Sequence, residues 1–166
     1  MSTTARRLLL IIPVAALLGV AGGTAAVASA PTTANGTFTY LASTFDGVRL
    51  EGGNTIIDDL SATVSYTGTF SGTSTLHGKL ILHADGTANF HDIETFTGSV
   101  NGVSGSVTLR LEGATNPHGV VNATDTVVSA TGGLADLHGV LDLVGTVPSP
   151  TGPVGTYSGK LQPVTP

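Results

Sequence analysis

Leu60-Ser-Ala-Thr-Val-Ser-Tyr-Thr-Gly-Thr-Phe70 decides the fold class of this chain. Leu60, Ala62, Val64, Tyr66 and Phe70 fall on one side of an extended backbone. Ser61, Thr63, Ser65, Thr67 and Thr69 fall on the other. Successive side chains of a strand point to opposite faces, so this period of two describes a strand with one greasy face and one wet face. Ser71-Gly72 reads as the turn that ends it.

The same pattern recurs outward in both directions. Upstream, residues 29–35 read as a loose lead and Gly36 to Thr44 as the first strand, with Phe38 and Tyr40 on one face. Val48 and Leu50 read as a short second strand. Downstream, Leu76, Leu80, Leu82 and Ala84 are expected to face inward, and His77, Lys79 and His83 outward. Asp85-Gly86 and Asn101-Gly102 are hairpin turns, because such pairs tolerate the positive φ that tight β-turns need. Between them Phe90, Asp92, Glu94 and Phe96 share one face. Val107, Leu109 and Leu111 form the next core face, with Thr108, Arg110 and Glu112 outside. A loop at Asn116-Pro117 precedes a strand near Val120 to Val128, and Gly132-Gly133 turns the chain again. Leu137, Leu141 and Leu143 then point in, while His138 and Asp142 point out. A loop from Pro148 to Pro153 leads to a last strand, Gly155 to Leu161. Short alternating strands punctuated by turns describe an all-β sandwich or barrel.

Composition narrows the choice. The chain has no cysteine, so neither disulfides nor thiol chemistry are available. Small exported domains usually lean on disulfides. This one must be held by its core and backbone ladders, which favours a sheet closed on itself.

Export is read from the N-terminus. Arg6-Arg7 precede an apolar run from Leu8 to Val20, and small residues end in Ala26-Val27-Ala28-Ser29-Ala30. A basic start, a short greasy middle and an A-x-A site describe a removable signal peptide. The run is shorter than the roughly 20 residues that span a bilayer. Cleavage after Ala28 leaves Ser29 first; cleavage after Ala30 would leave Pro31, a poor residue beside a scissile bond. Residues 1–28 are therefore expected to be a signal peptide and 29–166 a single domain that is secreted or extracytoplasmic. Arg6-Arg7 also fit a twin-arginine signal, with ordinary export of the unfolded chain the plainer route.

Without the leader, four basic residues face eleven acidic ones, a net charge of −7. That balance argues against nucleic acid and anionic lipid as partners. No membrane association is expected after cleavage, and nothing in the sequence sets an oligomeric state.

Several ordered segments carry a family resemblance. Gly36-Thr-Phe38, Gly68-Thr-Phe70-Ser-Gly72 and Asp85-Gly-Thr87 come first. Glu94-Thr-Phe96 runs into Gly98-Ser-Val-Asn-Gly102-Val-Ser-Gly105-Ser-Val107, and Val127-Val-Ser-Ala-Thr-Gly132-Gly133-Leu134-Ala-Asp-Leu137-His-Gly139 follows. Together they resemble a bacterial family, domain of unknown function 3224. The resemblance implies a closed antiparallel β-barrel of about eight strands, like allene oxide cyclase and the plant dirigent proteins. It implies no established reaction.

Candidate chemistry is sparse. Glu94 shares a face with Phe90 and Phe96, so it should point into the barrel, where burial would raise its pKa and suit it to general acid–base catalysis. Asp92 lies two residues away on the same face. Tyr40, Tyr66, Phe70, Phe90, Asp92 and Phe96 are the expected ligand-binding set. Arg49 is a candidate partner for an anionic group at a barrel opening. His83 and His91 are placed to face each other across the Asp85-Gly86 hairpin, but two imidazoles without a third ligand make no metal site. Neither metal nor cofactor is expected. Eight strands enclose room for about one small ligand. The leading expectation is thus a barrel that binds a small hydrophobic molecule. The alternatives are a cyclase- or isomerase-type enzyme acting on a hydrophobic substrate, or a filled-core structural or interaction protein.

Overall fold

The structure, a computed structural model, describes residues 30–148 and 152–162. The expected signal peptide and its cleavage site lie outside these residues. Eight strands follow in order: β1 (Thr32–Glu51), β2 (Asn54–Gly68), β3 (Phe70–Leu82), β4 (Ala88–Val100), β5 (Val103–Thr115), β6 (Val120–Gly132), β7 (His138–Thr146) and β8 (Val154–Gln162). Each runs antiparallel to the next, and β1 also pairs with β8 from Thr32↔Leu161 to Thr39↔Val154. The eight strands thus form a closed ring without a free edge, the arrangement expected of an all-β chain that has no disulfide.

The turns are local in origin. Asn101 (φ 51°) and Gly102 (φ 83°) both adopt the left-handed conformation of the tight hairpin that their sequence predicts. Residues 83–87 close the next hairpin, where the His83 N–H donates to the Thr87 carbonyl at 2.8 Å.

Four local expectations are corrected. Residues 32–35 are not a loose lead; they begin β1, because the first strand must pair with the last to close the ring. Val48 and Leu50 belong to β1 and not to a second strand. Val48 and Leu50 lie near the tip of the β1–β2 hairpin, past the part of β1 that pairs with β8 and past a bulge between Tyr40 and Ala42, and the side chains of Val48 and Leu50 are both exposed. The turn that ends β2 falls at Gly68-Thr69 and not at Ser71-Gly72. Gly68 lies so close to the backbone of Asn35 and Gly36 on β1 that a side chain there would collide with it. Phe70 then starts β3, still facing inward. Ala84 is exposed beyond the end of β3, whereas Leu82, opposite the inward Ala88, lines the cavity and is 40% exposed at its mouth.

The inward faces supply the core. At the end that holds the β2–β3 and β4–β5 turns, four rings form a plug. Phe70 and Phe96 meet edge-to-face at 5.1 Å, and Tyr66 and Tyr157 complete the cluster at centroid distances of 5.8–6.2 Å. The Tyr157 hydroxyl accepts the Phe70 N–H at 2.8 Å and donates to the Thr67 carbonyl at 3.0 Å. One residue of β8 thereby ties the β2–β3 hairpin to the far end of the chain.

Candidate functional site

β4 orders the site. Its inward face reads Ala88, Phe90, Asp92, Glu94, Phe96 from one end of the ring towards the other. Phe96 belongs to the aromatic plug. The Ala88 end also holds the turns at 83–87 and 116–119, and there the interior opens into a cavity of about 600 Å³. Phe38, Leu60, Leu80, Phe90, Leu111 and Leu143 make its apolar wall. Tyr40 and Asp92 also line it.

A layer of acids separates the cavity from the plug. Asp92 is 4% exposed, Glu94 1% and Asp125 0%. Asp92, Leu111 and Asp125 lie in one row across β4, β5 and β6, with Glu94 the next inward residue after Asp92. Asp125 follows the cavity-lining Val121 and Ala123 on β6. Gly78 of β3 stands opposite Asp92, and a side chain at Gly78 would strike the Asp92 carboxyl. The missing Cβ between Leu76 and Leu80 is therefore the slot that houses this acid.

The acids have few partners. Ser74 Oγ donates to Glu94 Oε1. Among the described residues Asp92 Oδ1, Glu94 Oε2 and both oxygens of Asp125 have no hydrogen-bond partner. The Tyr66 hydroxyl lies near Glu94 and Asp125 without completing a full hydrogen bond to either. Arg49, Lys79, Arg110 and Lys160 are all on the outside.

An unpaired carboxylate in a dry interior is costly, so these groups hold their protons tightly. Burial, followed by repulsion from Glu94, raises the pKa of Asp92 from 3.8 to about 7. Burial raises Glu94 against the opposing effects of the Ser74 hydrogen bond and the nearby Tyr66 hydroxyl. Burial, then Glu94 and Asp92, raises Asp125 well above the ordinary carboxyl range. Tyr40 and Tyr66 are also pushed up, by burial first and Glu94 second, so their hydroxyls stay protonated. Asp92 is the acid that both touches the cavity and changes charge near neutrality.

Of the residues expected to bind a ligand, Tyr40, Phe90 and Asp92 meet at the cavity. Tyr66, Phe70 and Phe96 do not line it; they face inward within the aromatic plug. Glu94, the expected acid–base residue, is in the interior but one layer below the cavity. Asp125 was not anticipated, although its alternation with Val121, Ala123 and Val127 carried the signal.

The outer polar groups gather elsewhere. Arg49 pairs with Glu51 at 3.2 Å and with Asp58, which also holds Lys79 at 2.7 Å. His83 does not face His91. The register places His91 opposite Lys79, because the hairpin closes at His83 and Thr87. The His83 ring bridges Asn54 and Asn89 at 3.1 and 2.9 Å.

The sequence model of the family described as "Protein of unknown function (DUF3224)" matches residues 22–147. The chain belongs to that family. The crystal structure of a protein with unknown function from the DUF3224 family of Shewanella oneidensis MR-1 has a similar fold, with a TM-score of 0.65 and 19% identity. The alignment covers 82% of this chain and 100% of that one. None of the curated proteins matches the chain. In this DUF3224 protein Asp92, Glu94 and Asp125 all lie within the matched region. β8, which closes the ring and brings Tyr157 to the plug, lies beyond its end.

Proposed function

We propose that this DUF3224 chain, once exported, holds one small and mostly apolar molecule in the open-ended cavity. The observation that carries the proposal is a chamber of about 600 Å³ with an apolar wall and a single carboxyl on its floor. Small-molecule sites are typically clefts of about 300–1,000 Å³ in which a few polar groups orient an apolar guest. The plug fills only one end of the ring, which favours this reading over a filled-core structural protein. The same reading extends the family resemblance to a barrel of the allene oxide cyclase kind, whose interior would serve as the container.

Ala123 lies in the wall, and Ala123→Met extends a flexible side chain into the chamber. N-phenyl-1-naphthylamine, a neutral apolar dye, is expected to bind the wild type. Its fluorescence titration should show affinity for Ala123→Met lower by about tenfold or more, ~1.4 kcal/mol, at an unchanged melting temperature. Equal affinity in the two proteins would overturn the proposal.

The position of Asp92 favours a second reading, an isomerase- or cyclase-type enzyme. In it Asp92 and not the deeper Glu94 would exchange a proton with the guest. A guest recovered chemically rearranged would support that reading, and one recovered unchanged would oppose it.

Export belongs to the same proposal. Protein collected from the medium of its native producer is expected to begin at Ser29, as read by intact mass. Full-length chain retained inside the cells would count against it.

A further inference from the structure

We propose that the guest of this cavity carries a primary ammonium head, which seats on Asp92 while its apolar body fills the chamber. The inference rests on the binding reading above and adds the chemistry of the guest's polar end.

The interior holds three buried carboxyls and, among the described residues, no cation. Asp92 is buried yet lines the cavity, and its Oδ1, lodged against Gly78, has no partner among the described residues. Behind it Glu94 Oε2 and both oxygens of Asp125 are equally unpartnered. No lysine or arginine reaches them from the described residues. A primary ammonium supplies three donors and no acceptor. A hydroxyl supplies one donor and a carbonyl none. A carboxylate would add another acid to a layer that already holds three.

A bare metal ion fits less well. Among the described residues no three His, Asp or Glu side chains are placed to hold one. A hard cation also needs six or more oxygen ligands, which this apolar wall does not offer. An organic cation brings its own apolar surface to the wall. Phe38, Tyr40 and Phe90 add aromatic rings near the floor, and such rings attract cations.

Charge balances within the site. A buried ammonium is costly unless paired. As the guest enters, Asp92 gives its proton to solvent, and the carboxylate left behind pairs with the ammonium. The titratable groups around Asp92 are Glu94 on the same strand, Asp125 from β6 and Tyr40 from β1. The residues paired with it on β3 and β5 are Gly78 and Leu111, neither of which titrates.

The test compares three guests of equal chain length, octylamine, 1-octanol and octanoate, by isothermal titration calorimetry of the exported domain. At pH 8 octylamine is expected to bind at least about tenfold more tightly than octanol, and octanoate more weakly than both. Between pH 6 and pH 8 octylamine should gain about tenfold as Asp92 ionises, while octanol stays level. In Asp92→Asn the gap between octylamine and octanol should close, and an unchanged far-ultraviolet circular dichroism spectrum reports that the variant is folded. Octylamine no tighter than octanol, or a preference that survives in Asp92→Asn, would overturn the ammonium head alone. Failure of octanol and the naphthylamine dye to bind at all would remove the cavity reading with it.

Discussion

Acidification from pH 8 to pH 5 is expected to stabilise this protein, and Asp92 alone should account for much of the gain. Its pKa rises from 3.8 to about 7 on folding, because burial and the neighbouring Glu94 disfavour its charge. A shift of that size corresponds to roughly 4 kcal/mol. The direction follows from proton binding. Between about pH 4 and pH 7 the unfolded Asp92 has lost its proton while the folded one keeps it, so stability falls as pH rises through that window. The contribution is complete below pH 4 and absent above about 7. Glu94 and Asp125 shift in the same direction, and Asp125, raised well above its ordinary value, carries the loss to still higher pH. Asp85 works the opposite way, held low by hydrogen bonds from Thr87, but it is exposed and contributes little. Urea unfolding followed by far-ultraviolet circular dichroism should give a higher midpoint at pH 5 than at pH 8. Asp92→Asn should raise the midpoint at pH 8 and make the dependence between pH 4 and pH 7 shallower, with Glu94 and Asp125 supplying what remains. A midpoint that falls on acidification would mean that these acids are ionised and paired in the folded state.

Phe70→Ala is expected to cost about 4 kcal/mol of unfolding free energy, from removal of a fully buried ring and the void it leaves. Phe70 meets Phe96, Tyr157 and Tyr66 at centroid distances of 5.1, 5.8 and 6.2 Å, so its loss also removes three ring–ring contacts. Its backbone N–H is bonded to the Tyr157 hydroxyl, which joins β3 to the strand that closes the ring. Small domains have only about 5–15 kcal/mol in hand, so the variant should unfold at markedly lower urea. A loss under about 1 kcal/mol would show that the other three rings re-form the plug without it.

Much of this architecture is written locally. Alternation at Leu60 to Tyr66, at Phe90 to Phe96 and at Val107 to Leu111 assigns each side chain to a face, because a strand repeats every two residues. Asn101-Gly102 specifies its hairpin, because both residues accept positive φ. The inward direction of Asp92 and Glu94 follows from the same alternation, and that of Asp125 was equally legible.

Depth was not legible. Period two states which face a residue occupies, but not how far along the ring it lies. Phe90 and Phe96 share a face, yet one lines the cavity and the other the plug. Their layers depend on the stagger between strands, and that stagger is set only when β1 meets β8 about 120 residues away. The β1 bulge likewise arises from pairing with β2, so Val48 and Leu50 kept the look of a separate strand. The sequence by itself determined an all-β chain, its main hairpins and an inward row of acids. The tertiary structure alone decided that the acids form one layer beneath an apolar cavity, because that layer joins strands that no local pattern connects.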